Sequence, residues 1–162
     1  MVVLRKPKAT DLSEIRELYE RSAALHNPWT YAPQDYGAYL MQENRYFICS
    51  VENENIVGTF HISGIVRGYF QSAYLGYEVF CPFQGKGYMG KGLSLLLTEA
   101  FGKLNLHRLE ANIQPGNIPS IRLVAKAGFI KECFSKDYLR VGGREWKDHE
   151  RWAMVNPDWS EQ

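Results

Sequence analysis

The sequence predicts an α+β fold built on one mixed, mostly antiparallel sheet flanked by helices. Two observations carry this. The runs Tyr46 to Val51 and Ile56 to Ser63, separated by the polar turn Glu52 to Asn55, read as an antiparallel hairpin, and a second hairpin closes the chain around Gly142-Gly143. Between them lie only two strand-to-helix switches, too few for the parallel strands of a doubly wound sheet.

The elements follow in order. Val2 to Arg5 reads as a strand. Asp11 with Glu14 resembles a capping box ahead of Leu12, Ile15, Leu18 and Tyr19, which predicts a helix from about Asp11 to Leu25. The segment HNPWTYAPQDYGAYL is rich in proline and aromatics and reads as an irregular, ligand-facing loop entering a short helix. After the first hairpin and a connection near Arg67 and Gly68, Ala73 to Phe80 is a strand leading into a glycine-rich loop. Met89, Leu93, Leu96, Leu97, Ala100 and Leu104 then share one helical stripe. Leu109 to Ile113 is the next strand. Asn117 is placed to cap a helix with Pro119 in its first turn and Gly128 just past its end, and Phe129 to Leu139 and Glu145 to Val155 are the last two strands. The 162 residues suit a single domain spanning 1–162.

Composition narrows the function classes. Hydrophobic residues make up 45% and charged residues 23%, an ordinary globular balance, and a net charge of +1 argues against a direct nucleic-acid surface. The start MVVLRKPKATD has the marks of neither a signal nor a transit peptide, and no apolar run approaches the roughly 20 residues that span a bilayer, so a cytoplasmic protein without a membrane partner is expected. Cys49, Cys81 and Cys133 lack disulfide or zinc spacing, and His26, His61, His107 and His149 lack metal-ligand spacing, so no metal is expected. The histidines read as structural unless the fold places one in a cleft.

The chemistry concentrates in QGKGYMGKG, residues 84 to 92. From Gly85 the stretch satisfies G-x-G-x-x-G, and Glu110 stands near the distance of a ribose-binding acid. Against a dinucleotide turn, Cys81-Pro82-Phe83-Gln84 separates strand from glycines and Glu110 lies inside its own strand. A Walker A loop would need Lys and then Ser or Thr after the last glycine, and Gly87 is followed by Tyr88. What remains is a row of backbone N–H groups at a helix N-terminus, a cradle for a pyrophosphate.

The run Tyr77 to Met89 resembles the acetyl-CoA loop of the GNAT superfamily of N-acetyltransferases, whose signature is Gln or Arg, two residues, Gly, one residue, then Gly or Ala. Gln84 and Gly87 match, and Met89 departs. The segments VRGYFQSAYLGY, HRLEANIQPGNIPSIRLVAKAGF, SKDYL, WKDH and NPDW resemble the ribosomal-protein-alanine N-acetyltransferases, the RimJ/RimL group, and most closely its RimJ-like branch. The resemblance implies the GNAT fold, with a splayed parallel strand pair, Ala73 to Phe80 and Leu109 to Ile113, binding acetyl-CoA. It implies cofactor contacts from Val79, Phe80, Cys81, Gln84, Gly85, Lys86, Gly87, Tyr88, Met89, Gly90 and Asn117. It further implies Asp137 as base, Ser120 as acid with Tyr138 as the alternative donor, and Trp29, Arg67, Glu78 and Asn112 on the acceptor side. Other branches draw a base from the strand that carries Glu78, which ranks second to Asp137. The implied partner is the N-terminus of an acceptor protein, a ribosomal one starting with Ala or Ser. A small-molecule amine or a non-catalytic CoA sensor are the alternatives, and a monomer or weak homodimer is expected.

Overall fold

The computed structural model describes residues 1–162. In chain order the elements are β1 (Val2–Arg5), α1 (Leu12–His26), α2 (Tyr36–Leu40), β2 (Arg45–Ser50), β3 (Ile56–Val66), β4 (Ser72–Val79), α3 (Tyr88–Thr98), β5 (Arg108–Ile113), α4 (Ile118–Ala127), β6 (Ile130–Val141) and β7 (Glu145–Val155). The strands hydrogen-bond as one seven-stranded mixed sheet in the order β1-β2-β3-β4-β5-β7-β6. Only β4 and β5 are seen to run parallel, and their ladder covers Ser72 to Tyr74 against Arg108 to Glu110. Beyond it β4 continues to Val79 and β5 to Ile113.

The chain divides into two compact units. The first comprises Met1–His61 and Tyr77–Leu95. Ile15, Leu18 and Tyr19 of α1, Tyr39 and Leu40 of α2, Phe47 and Cys49 of β2, and Ile56 and Phe80 form its core. Every residue of β2 is buried, as expected for a strand covered on both faces.

Asp11 departs from the sequence expectation. It forms no side-chain cap on α1, and Glu14 reaches the Ile56 N–H at 3.2 Å, so the capping box does not form. Asp11 is instead 7% exposed, takes both Arg5 guanidinium nitrogens at 2.8 Å, and accepts the Lys8 N–H at 2.7 Å. These hydrogen bonds overcome the cost of burial and hold its carboxyl below the ordinary value. Asp11→Ala is expected to destabilise the protein by about 2–4 kcal/mol, because it strands the Arg5 charge. The folded pKa lies below the unfolded one, so this contribution is complete above the unfolded carboxylate pKa and fades as pH falls through the folded value. Urea unfolding at pH 7 and at pH 3 checks both points, and the wild-type advantage should shrink at the lower pH.

The second unit comprises Ile62–Gly76 and Leu96–Gln162. β5 buries Leu109, Ala111 and Ile113 in strict alternation, with Val124 of α4, Phe129 and Ala153 of β7 among the other buried apolar residues. α3 ends at Thr98 and widens into one π-helical turn over Glu99–Lys103, with Leu104 N–H bonded to the Glu99 carbonyl, where the apolar stripe predicted uninterrupted helix. Asn117 occupies the N-cap position of α4 without a side-chain cap bond, while Gly128 closes the helix at φ 106°, a left-handed conformation suited to glycine. β6 and β7 pair from Ile130↔Ala153 to Val141↔Glu145, with a register shift between Ser135 and Leu139. No helix is long and apolar enough to cross a membrane.

Candidate active site

The C-terminal end of β4 carries Glu78 into a pocket of the first unit. The pocket has a volume of about 350 Å³, and Tyr19, Thr30, Tyr31, Tyr39 and Arg45 line it with Glu78. The Glu78 side chain is 16% exposed. Tyr19 donates its hydroxyl to Glu78 Oε1 at 2.9 Å and stands 3.1 Å from the Tyr39 hydroxyl. Oε2 is buried without a hydrogen bond, 3.7 Å from His26 Nδ1. Arg45, 8% exposed, spends Nε on Gln42 at 2.7 Å and Nη1 on Thr59 at 3.0 Å, and its Cζ lies 4.0 Å from the centroid of the Tyr39 ring.

Burial pushes the Glu78 carboxyl above its ordinary value, and His26, the Tyr19 hydrogen bond, Arg45 and the Thr30 hydroxyl pull against that. Burial, then the Glu78 charge, raises the Tyr19 phenol well above its usual range, so it stays a proton-bearing donor. A carboxyl tuned upward in a pocket and held by a neutral donor can accept a proton near neutral pH.

β4 feeds from this carboxyl directly into the glycine loop. Gly85 and Gly87 sit at φ 73° and 80°, the left-handed region where a side chain would be strained. A Cβ added at Gly85, Gly87 or Gly90 would meet nothing within 4 Å, so the main chain here is open to a ligand. α3 begins at Tyr88, and its first N–H groups have no partner within the helix. This fits a pyrophosphate. Lys86 is exposed, Gln84 turns its amide toward Cys81 Sγ at 3.9 Å, and the Phe83 and Tyr88 rings pack edge to face at 6.2 Å.

Met89, the departure from the GNAT signature, is accommodated by Gly58 of β3. A Cβ at Gly58 would come 2.6 Å from Met89 Sδ and 2.9 Å from the Glu78 carbonyl oxygen. Gly58→Ala is therefore expected to cost about 1–3 kcal/mol and to push on both the loop and the Glu78 main chain. Thermal unfolding with titration of a CoA ligand checks this, and the variant should lose both melting temperature and affinity.

The main chain between Glu78 and the loop is less available than the resemblance implies. The Val79 carbonyl accepts His26 Nε2–H at 2.7 Å, the Phe80 N–H donates to Val57 O at 2.9 Å, and the Cys81 N–H donates to Ser22 Oγ at 2.9 Å. Phe80 itself is fully buried. Trp29 sits in the turn after α1, its N–H on the His26 carbonyl, and Thr30 and Tyr31 reach the pocket from this loop.

The remaining candidates belong to the second unit. Ser120 is half-buried in the first turn of α4, close in sequence to Asn117. Asp137 lies exposed in the irregular stretch of β6 at φ 46°, its N–H on Asp148 Oδ1 at 2.9 Å. Tyr138 accepts Arg151 Nη2–H at 3.0 Å. Asn112 keeps a buried, unbonded Oδ1 on β5, and Arg67 is exposed and bonded to Gln71 at 3.1 Å. No group of three His, Cys, Asp or Glu side chains is arranged to hold a metal ion.

Sequence reasoning passed over Tyr19, Tyr39, Arg45 and His26. A signal existed in α1, where Tyr19, Ser22 and His26 place polar groups at helical spacing on the buried face.

The model of the acetyltransferase (GNAT) domain family matches residues 2–130. The chain belongs to the GNAT acetyltransferase family. Among the relatives of this GNAT chain, the ribosomal protein uS5-alanine N-acetyltransferase of Escherichia coli K12 is 38% identical over 109 residues, 67% of this chain and 56% of that protein. The probable N-acetyltransferase YjcK of Bacillus subtilis is 36% identical over 117 residues, 72% of this chain and 64% of that protein. The GNAT chain thus spans less than two thirds of either relative. Among solved structures, the ribosomal-protein-S5-alanine acetyltransferase of Vibrio fischeri superposes with a TM-score of 0.87 at 26% identity, covering 99% of this chain and 96% of that one. A spermidine N-acetyltransferase of Vibrio cholerae, in complex with CoA and spermine, shares the fold at a TM-score of 0.79 and 19% identity, covering 98% and 97%.

Proposed function

We propose that the protein transfers the acetyl group of acetyl-CoA to the N-terminal α-amine of another protein, with a ribosomal protein starting with Ala or Ser as the best-supported acceptor. The observation that carries this is the aromatic pocket closing on Glu78, one strand end away from an open glycine cradle. The relatives that modify the alanine of a ribosomal protein support the choice of acceptor. When bound, acetyl-CoA supplies a thioester carbonyl activated toward an amine. Gly85 to Gly90 would hold its pyrophosphate through main-chain N–H groups, with Gln84 and Lys86 alongside and Asn117 contributing from the N-cap position of α4.

The amine must lose one proton. An α-amino group has a pKa of about 7.7–8.0, so roughly a tenth is neutral at pH 7, whereas a lysine amine at about 10.4 needs far more help. A single carboxylate suffices for the first. Glu78 is that carboxylate in preference to Asp137, because it is recessed in a pocket with Tyr19 fixing one oxygen. Exposed Asp137 suits contact with the acceptor chain. Ser120 in α4 is the candidate donor for the departing thiolate, with Tyr138 the alternative.

Measuring CoA release with Ala- and Ser-starting peptides beside spermidine and aminoglycosides tests the reading. Turnover confined to the small amines would refute it, and tight CoA binding with no turnover on any amine would favour a sensor.

A further inference from the structure

The neighbour of Glu78 on α1 has an arrangement that packing does not require. This inference rests on Glu78 as the base proposed above. His26 is 6% exposed at the last residue of α1. Its Nε2 lies 2.7 Å from the Val79 carbonyl, which can only accept, so Nε2 carries a hydrogen. That assignment leaves Nδ1 facing Glu78 Oε2 at 3.7 Å, and Oε2 is buried with no hydrogen bond of its own. A bare imidazole lone pair opposite a bare carboxylate would be unfavourable in so dry a place. One proton between them removes the conflict.

The ring is held where it stands. One turn earlier on α1, Ser22 Oγ accepts the Cys81 N–H at 2.9 Å, so α1 grips the β4 end on both sides of the buried Phe80. The Tyr19 and Phe80 rings contact the imidazole at centroid distances of 5.7 and 5.9 Å.

We propose that His26 is a positioning residue that shares a single proton with Glu78 and thereby keeps the carboxyl in its proton-accepting form when the amine arrives. With the shared proton on Nδ1, Glu78 is a carboxylate. The acceptor ammonium then gives its proton to the Glu78 carboxylate, breaking one N–H bond and forming one O–H bond, and leaves a neutral amine beside a neutral carboxyl and an imidazolium. The pair returns the extra proton to water through the open side of the pocket. The other charged or titratable groups around Glu78 are Tyr19 from α1, Tyr31 and Asp35 from the following loop, Tyr36 and Tyr39 from α2, and Arg45 from β2. None of these is a residue type that ordinarily titrates near neutrality, as an imidazole does.

The test is nuclear magnetic resonance on the full protein with labelled histidine, wild type against Glu78→Gln. The His26 titration midpoint is expected to fall by about one pH unit or more when the carboxylate is lost, with Nε2 protonated throughout. An identical midpoint in both proteins would overturn the proposal, even if Glu78→Gln were inactive and the base assignment survived. In kinetics, His26→Asn keeps an N–H for Val79 but no titrating group, and should move the acid limb of kcat/KM upward by about one pH unit with acetyl-CoA binding unchanged. An unmoved acid limb would overturn it equally. Should His26→Asn fail to fold, the wild-type and Glu78→Gln spectra decide alone. Coupled titration with full activity in Glu78→Gln would remove the base itself, and His26 would then position nothing catalytic.

Discussion

Glu78→Gln is expected to lower kcat by about 10²–10⁴-fold, the range contributed by a positioned general base, while acetyl-CoA affinity stays unchanged. Glutamine keeps the shape and can still accept the Tyr19 hydroxyl, so the loss isolates proton transfer. The same substitution carries a stability signature. Burial raises the folded pKa of Glu78 above its ordinary value, so the native state favours the protonated form. The stability tied to that proton is present below the unfolded pKa and is lost as pH rises through the folded one. Glu78→Gln should therefore melt higher than wild type at pH 8, and the gap should close toward pH 4. Calorimetry across that range, beside steady-state kinetics, checks both halves. Equal melting curves at pH 8 would mean that the carboxyl is not under strain, and a near wild-type kcat would mean that it is not the base.

Phe80→Ala carries the largest expected loss of stability. Phe80 is fully buried, with its ring 5.0 Å from Tyr19 and 5.9 Å from His26. Emptying the site should cost about 3–5 kcal/mol, against a total stability of about 5–15 kcal/mol for an ordinary protein. At this chain length the melting temperature should drop by about 6–20 °C. Because both neighbours of the ring touch Glu78, any folded fraction should also lose kcat at temperatures well below melting. A variant that lost stability but kept the wild-type kcat would show that the Tyr19 and His26 geometry is fixed by other contacts.

Much of the fold was legible because its signals are local. The two hairpins, the glycine loop and Gly128 announce themselves through turn chemistry and helix-end conformation; the hairpin strands lie close to where expected, with β3 running on to Val66 beyond the expected Ser63. Asp11 misled because Asp followed by Glu three positions on is also compatible with a distant partner, and Arg5 offers a charged, bidentate one that a cap cannot match. The π-helical turn after Thr98 leaves the apolar stripe intact, so periodicity carries no sign of it.

The site divides along the same line. Gln84 and Gly87 stand in a contiguous motif and point to the loop directly. Glu78 was visible as an acid on the strand before the loop, but its pocket is assembled from α1, α2, β2 and the loop between the two helices, joined only by folding. Nothing local marks Tyr19 or Arg45 as its neighbours. Met89 reads as a departure from the signature until Gly58, 31 positions away, is seen to make room for it. Asp137 was selected by motif alone, and its exposed place in the irregular stretch of β6 could not be read from SKDYL.

The most direct measurement follows labelled acetyl from acetyl-CoA onto one Ala-starting peptide that also contains lysine, offered once with a free α-amine and once with that amine blocked. The account predicts label on the free α-amine and none on the blocked peptide. Label on lysine in the blocked peptide, or transfer to spermidine with neither peptide labelled, would contradict it.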